Sequence, residues 1–217
     1  MAQRPVFVPD PNQPGLVRTE MVSFIWHPGL SFVQKQRNVA ALHAAAVMQL
    51  KLSGPPLEVS TKSTSELGVS LSAFNLTLPD IDGRDVPIEC IFQSSKKFQM
   101  GGPFSDLRRA HPRAARGDPR LKNSGPLVCF DLDGEVWPLD PPPSFYDWLY
   151  LLALRRQASA LSRIVAFPAF TDIEFNPEVS VNCQARSVAL AVALGHELAA
   201  VETSGAFRTR FSLARNA

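Results

Sequence analysis

The centre of the chain carries one helix-like pattern that organises the interpretation of the rest. It reads Pro87-Ile88-Glu89-Cys90-Ile91-Phe92-Gln93-Ser94-Ser95-Lys96. On a helix, positions i, i+4 and i+7 share one face, so the pattern predicts that Glu89, Gln93 and Lys96 line up, with Phe92 beside them. Glu89 and Lys96 would lie two turns apart, about 10 Å between backbones. Such an acid and amine could supply proton transfer and a nucleophile. From the spacing alone, a half-buried helix whose polar residues simply face water is favoured over a catalytic helix.

A local excess of basic residues follows this pattern. Between residues 96 and 122 the cations are Lys96, Lys97, Arg108, Arg109, Arg113, Arg116, Arg120 and Lys122, against Asp106 and Asp118. The whole chain has a formal net charge of only +2, so the excess is local. Glycine and proline at 101–103 and 117–119 predict loops that present these side chains. Arginines on loops can bind phosphate through forked hydrogen bonds, which favours a phosphate-bearing substrate over a merely solvated surface.

The helix pattern also resembles the Glu-x-x-Phe-Gln-x-x-Lys signature of the NADAR family, named for its association with NAD and ADP-ribose. Upstream, Leu71-Ser72-Ala73-Phe74-Asn75-Leu76 resembles the Ser-Asn-Phe segment of the family, with alanine in place of the usual asparagine. Downstream, residues 172–176 and 182–184 occupy the places of two late motifs but lack the tryptophan and glycines of those motifs. The resemblance implies that Glu89 and Lys96 are catalytic. Together with the basic stretch, it predicts substrate binding by Asn75, Gly83, Phe92, Gln93, Arg113, Arg116, Asp172 and Asn182.

The similarity is closer to one bacterial branch of that family. The sequence segments that show this similarity are residues 24–29, 34–36, 57–63, 120–126, 145–150 and 170–177. That branch is the antitoxin partnered with a DNA ADP-ribosyltransferase toxin of the DarT type. The resemblance extends from near the N-terminus to about Leu194. It implies a glycohydrolase that removes ADP-ribose from guanine bases in DNA, with ADP-ribosylated DNA as substrate, ADP-ribose as product and a DarT-type toxin as functional partner.

Two other functions are compatible with the sequence. The first is a binding module that holds ADP-ribosylated nucleic acid, or the toxin, without turnover. The second is the riboflavin-pathway N-glycosidase activity that occurs elsewhere among NADAR proteins. Retention of both Glu89 and Lys96 favours an enzyme over a binder, and the long N-terminal similarity to the antitoxin branch disfavours the riboflavin activity.

Composition predicts a cytoplasmic protein without metal or cofactor. The chain has 217 residues, of which 45% are hydrophobic and 19% charged, a balance typical of one globular domain. No signal peptide or membrane-spanning run is visible. Three cysteines and four histidines show no metal-ligand spacing, and glycine-rich phosphate loops are missing.

The coarse pattern predicts a single-domain α+β fold, predominantly helical with a few short strands, and the resemblance implies the NADAR fold. Prolines predict an extended N-terminal segment over residues 1–23, followed by a catalytic domain at 24–203 and a frayed tail at 204–217. The predicted helices cover 31–50, 87–96, 144–161 and 182–201, and the predicted strands cover 58–63 and 68–78. A hairpin is expected around residues 131–134.

Overall fold

The computed structural model describes residues 1–142 and 144–213. Helix accounts for 43% and strand for 19%, which confirms an α+β fold in which helices predominate. The strands are β1 (Ala2–Pro9), β2 (Val17–Phe24), β3 (Leu57–Glu58), β4 (Thr77–Pro79), β5 (Asp85–Pro87), β6 (Lys96–Phe98), β7 (Leu127–Leu132), β8 (Glu135–Trp137) and β9 (Phe170–Thr171). The helices are α1 (Phe32–Leu50), α2 (Glu66–Ser70), α3 (Ile88–Ser94), α4 (Pro112–Gly117), α5 (Arg120–Asn123), α6 (Ser144–Arg155), α7 (Ala158–Ile164), α8 (Gln184–Leu194) and α9 (Ser204–Leu213). Among the described residues, no helix is both long and apolar enough to cross a membrane.

The N-terminal segment forms an antiparallel hairpin of β1 and β2, which belongs to a sheet with the order β2-β1-β9-β3. Helix α1 packs on this sheet through a small core in which Val22, Val39 and Leu42 are buried. The Ser31 hydroxyl caps α1 by accepting a hydrogen bond from the amide of Gln34. The predicted helix at 31–50 is therefore confirmed, and residues 1–23 are paired in a sheet rather than simply extended.

A larger core surrounds α6, which is buried along most of its length and packs against α3 and α8. The predicted core helix at 144–161 is divided, because α6 ends at Arg155 and α7 starts at Ala158. The predicted helix at 182–201 is shorter in the same way, since α8 ends before Gly195 and a 3-10 helix continues to Val201. Gly195 has a φ of +51°, a left-handed conformation that ends α8.

The strands predicted at 58–63 and 68–78 are mostly wrong. Only Leu57–Glu58 and Thr77–Pro79 are strands, and Gly68 lies in α2. A side chain at Gly68 would place its Cβ 2.0 Å from the backbone oxygen of Glu58, so the helix approaches β3 too closely for any other residue. The glycine marks this contact rather than a strand.

Of the two remaining predictions, the hairpin is confirmed and the frayed tail is wrong where the structure describes it. The hairpin around residues 131–134 is confirmed, with Asp133 and Gly134 at positive φ between β7 and β8. The tail is not frayed over residues 204–213, since these residues form α9 and the Phe207 ring is buried against Trp137. The remainder of the predicted tail, 214–217, lies outside the described residues.

Candidate active site

Helix α3 carries Glu89 and Gln93, but it ends before Lys96. The hydroxyls of Ser94 and Ser95 both donate to the backbone oxygen of Ile91 at 2.8 Å, and side-chain bonds of this kind compete with the helical pattern. Lys96 is instead the first residue of β6, where it pairs with Phe130 of β7. The prediction that one helix carries both Glu89 and Lys96 is therefore wrong.

The turn after α3 nevertheless keeps the lysine beside the helix. The side-chain amide of Gln93 donates to the Glu89 carboxylate at 2.9 Å, and both side chains are buried. The Lys96 ammonium lies over the Phe92 ring, 4.9 Å from the ring centre, and interacts electrostatically with Glu89. The acid, amide, ring and amine expected from the sequence are thus brought together by two elements rather than one.

The environment of Lys96 favours its neutral amine. Burial lowers the pKa of the Lys96 ammonium most strongly, and the nearby Arg116 guanidinium lowers it further. The Glu89 carboxylate opposes this shift, but the pKa stays below its ordinary value of 10.5. A lysine in these surroundings is a better nucleophile than one in water.

Asp172 is joined to the same helix through a chain of hydrogen bonds. The Gln184 side chain donates to the Asp172 carboxylate at 3.0 Å and accepts from the amide of Ala73 at 2.7 Å. The carbonyl of Ala73 accepts from the amide of Glu89 at 3.0 Å. Both carboxylates are therefore fixed relative to the backbone of one residue, which is the alanine of the divergent Ser-Ala-Phe-Asn segment.

Two side chains at this site were not among the predicted site residues. One is Gln184, which orients Asp172 and lies in the predicted late motif. The other is Tyr146, whose ring meets Phe92 edge-on at 5.1 Å. Burial and the Glu89 charge raise the pKa of Tyr146 well above 10.0, so its hydroxyl stays protonated. The sequence feature that could have identified Tyr146 is its hydroxyl, a polar group in the first turn of the mostly apolar α6.

The other predicted substrate-binding residues are less directly connected. Arg116 is exposed on α4 and interacts electrostatically with both Lys96 and Asp172, while Arg113 is exposed three residues earlier on that helix. Asn182 is half-buried just before α8. The structure thus brings Arg116 to the site, and substrate contacts by Arg113 and Asn182 stay predictions.

Phe92, Asn75 and Gly83 have structural contacts of their own. Phe92 is only 5% exposed and packs among several aromatic rings, so it offers little free face to a base. The exposed Asn75 side chain donates to the backbone oxygen of Val69. Gly83 has a φ of +75° in the turn between β4 and β5. Substrate binding by these three residues is untested.

Much of the basic stretch is neutralised by carboxylates. Arg108 forms ion pairs at 2.9 Å with Asp80 and 2.8 Å with Asp133, and its side chain is only 10% exposed. Arg120 pairs with Asp106 and Asp118. These arginines lie on short helices and turns rather than on open loops, since 105–109 form a 3-10 helix and α4 and α5 follow. Among the arginines of this stretch, Arg113 and Arg116 form no ion pair with the described residues, so they stay the predicted phosphate-binding arginines.

A cavity of about 430 Å³ lies on another side of α3. Ile91 of α3, Leu149 of α6 and the Arg108 ion pairs line this cavity, whereas Glu89 and Lys96 do not. The acid–amine pair and the cavity thus use different faces of the helix.

Comparison with known proteins identifies the family of this chain. No curated protein matches the chain. The family model described as the DarT1-associated NADAR antitoxin matches residues 2–212, which include every residue of the candidate site. The chain belongs to the family of DarT1-associated NADAR antitoxins.

Proposed function

We propose that this protein is an antitoxin glycohydrolase that removes ADP-ribose from guanine bases in DNA. Membership of an antitoxin family associated with DarT1 supports a functional link to a DarT toxin. The observation that carries the enzymatic part is the half-buried Lys96 amine, with its lowered pKa, in electrostatic contact with Glu89. A lowered lysine pKa increases the fraction of neutral, nucleophilic amine, which a covalent reaction uses and simple binding does not.

The first proposed step opens the modified ribose. Glu89 acts as the general acid and donates a proton to the ring oxygen as the bond from that oxygen to C1 breaks. The lone pair of the guanine exocyclic nitrogen then forms a double bond to C1. Gln93 holds the Glu89 carboxyl through its hydrogen bond of 2.9 Å, so the proton leaves from a fixed position.

The second proposed step transfers the sugar to Lys96. Its neutral amine attacks C1, Glu89 takes the proton released from the lysine nitrogen, and the same proton passes to the guanine nitrogen as the C1–guanine bond breaks. This leaves an unmodified guanine in the DNA and an imine between Lys96 and C1 of the sugar. One water molecule then hydrolyses the imine, which regenerates the amine and releases ADP-ribose.

The polar groups around this pair suit an ADP-ribosyl substrate. Arg116 is exposed and close to Lys96, where it can bind a diphosphate oxygen while it lowers the lysine pKa. Asp172 and Gln184 are held 3.0 Å apart and can accept and donate hydrogen bonds to ribose hydroxyls.

The direct test is incubation of the purified protein with DNA that carries ADP-ribose on guanine. We expect free ADP-ribose and unmodified DNA, and Glu89→Gln should release neither product while it binds the modified DNA. Equal binding by both proteins, with no release by either, would identify a binding module instead.

Antitoxin action is tested in cells by co-expression with a guanine-modifying DarT-type toxin. Growth should be rescued by the wild type but not by Glu89→Gln, because that change removes the acid while it keeps the size and hydrogen-bonding capacity of the side chain. Rescue by a folded Glu89→Gln protein would show neutralisation of the toxin by binding.

A further inference from the structure

Glu58 is a buried carboxylate that holds the backbone on both sides of Asp172. It is 2% exposed, and it accepts hydrogen bonds from the Ser60 hydroxyl at 2.6 Å, the Thr171 hydroxyl at 2.7 Å and the amide of Ile173 at 2.9 Å. Thr171 and Ile173 are the immediate neighbours of Asp172 in the chain. Three converging donors suit a carboxylate, which only accepts.

The two carboxyl groups also interact through space. Burial raises the pKa of Glu58, and the nearby charge of Asp172 raises it further. Burial likewise raises the pKa of Asp172. Both carboxyls are therefore hard to ionise together, and the pair retains a proton at a pH where exposed acids have lost theirs.

Other titratable groups surround this pair on several elements. They are His43 on α1, Arg116 on α4, Tyr146 and Tyr150 on α6, Glu174 after β9, and Cys183 before α8. Among these groups, only the Arg116 guanidinium favours the ionised form of Asp172, and it is exposed to solvent. The exposed Glu174 disfavours that form, and it is also paired with Lys35.

We propose that Glu58 is a positioning residue for the reaction proposed above, which fixes the Asp172 carboxyl at the substrate by holding Thr171 and Ile173 on either side of it. This inference rests on the proposed function for its catalytic consequence, but the buried carboxyl pair is a property of the folded protein by itself. Loss of the Asp172 charge should make Glu58 easier to ionise, because that charge raises the Glu58 pKa beyond the effect of burial.

The surroundings allow a glutamine to replace Glu58 without unfolding the protein. His43 Nε2 lies 2.8 Å from the Thr171 hydroxyl, which itself donates to Glu58, so the histidine nitrogen donates in the wild type. Burial lowers the pKa of His43 to about 4, so the ring is neutral and can change tautomer. With Glu58→Gln, the new amide can donate to Thr171 and the hydroxyl can turn to His43, which preserves the chain of hydrogen bonds.

The first test needs no enzymatic activity and measures the free energy of unfolding by urea as a function of pH. A carboxyl whose pKa is raised by folding binds a proton in the folded state that the unfolded state has lost, so stability falls as pH rises above the ordinary value of 4.5 for Glu58. Glu58→Gln should flatten this fall by about one bound proton, whereas Glu178→Gln, an exposed control, should not. If the free energy of unfolding depends on pH in the same way in Glu58→Gln and in the wild type, the proposal that the Glu58–Asp172 pair retains a proton is wrong.

The second test follows the pH dependence of KM and kcat for release of ADP-ribose from modified DNA. A limb is the part of the pH profile over which the rate changes as one group titrates. The limb that disappears in Asp172→Asn is assigned to Asp172. Glu58→Gln should leave this limb in place, because its amide can stand in for the protonated carboxyl, whereas Glu58→Ala should lower kcat and move the limb, because Thr171 and Ile173 lose their acceptor and no longer hold Asp172. A purely structural Glu58 would reduce the active fraction without moving the limb, which would contradict the proposal. An inactive wild type with the expected stability slope would instead refute the proposed function alone.

Discussion

Gln93 donates a hydrogen bond of 2.9 Å from its side-chain amide to the Glu89 carboxylate. The carbonyl oxygen Oε1 of the same side chain is buried and has no hydrogen-bond partner among the described residues. Buried acceptors of this kind are rare because they lose their bonds to water without replacement. The amide is therefore oriented by Glu89 and keeps one acceptor free, which a substrate hydroxyl or amine could complete.

Replacement of Gln93 by leucine should separate activity from stability. The variant loses one hydrogen bond to a charged group, worth about 1.5–3 kcal/mol, so release of ADP-ribose should slow by roughly tenfold or more. The free energy of unfolding should change by less than about 1 kcal/mol, because an unsatisfied acceptor disappears together with the donor. Gln99→Leu, at an exposed position, is the control. Full activity in Gln93→Leu would exclude the amide from the site.

The pH dependence should report the neutral amine of Lys96. Because the proposed mechanism needs a neutral Lys96 together with Glu89 acting as an acid, kcat/KM should pass through a maximum as pH rises, and one limb should belong to Lys96 at its lowered pKa. Arg116→Ala should move this limb to higher pH, since it removes a cation that lowers the pKa, while Arg113→Ala should leave it in place. A Lys96 limb that stays in place in Arg116→Ala would contradict the interaction between these two cations at the site.

Arg113 and Arg116 should also determine the salt dependence of binding. Each phosphate neutralised on DNA contributes roughly −0.7 to −0.9 to the slope of log affinity against log salt. The double change to alanine should weaken binding of ADP-ribosylated DNA and flatten that slope without unfolding the protein. Arg163→Ala, on the exposed side of α7, controls for loss of a cation elsewhere. Binding that does not depend on salt, and is equal in the double variant, would remove both arginines from the site.

Two adjacent arginines should differ strongly in their effect on stability. Arg108 bridges Asp80 and Asp133 and lies 3.4 Å from the Ser94 hydroxyl, whereas Arg109 is exposed and only 3.7 Å from Asp82. Arg108→Met should lower the free energy of unfolding by about 1–3 kcal/mol, because the half-buried Asp80 and the exposed Asp133 lose a charged partner that is itself largely buried. Arg109→Met should cost about 0–1 kcal/mol, as is usual for an exposed pair. Urea unfolding measures both, and equal effects would contradict the structural role of Arg108.

The candidate site was predictable where it depends on local spacing. Glu89 and Gln93 are four residues apart and share a face of α3, as the helical period requires. The position of Lys96 was not predictable in this way, because Ser94 and Ser95 end the helix and the lysine pairs with Phe130, over thirty residues later. Lys96 nevertheless lies close to Glu89, because β6 begins two residues after the last residue of α3.

The sequence could not predict polar contacts between residues that are far apart in the chain. Asp172 reaches the site through Gln184 and Ala73, which are separated by 111 residues and meet only in the folded chain. The charge of Arg108 predicted a free cation, whereas two carboxylates from distant turns neutralise it. Glu58 lies at the start of a predicted strand, but its burial beside Asp172 follows only from the fold.

The most direct test of the central claim is borohydride trapping during turnover of ADP-ribosylated guanine DNA. Borohydride reduces an imine to a stable amine, so mass spectrometry of the wild type should find ADP-ribose attached at Lys96. Lys96→Arg keeps the positive charge but cannot form the imine, and it should neither trap the sugar nor release ADP-ribose. Robust release by Lys96→Arg, with no adduct in the wild type, would contradict the covalent role and leave Lys96 as a phosphate-binding cation.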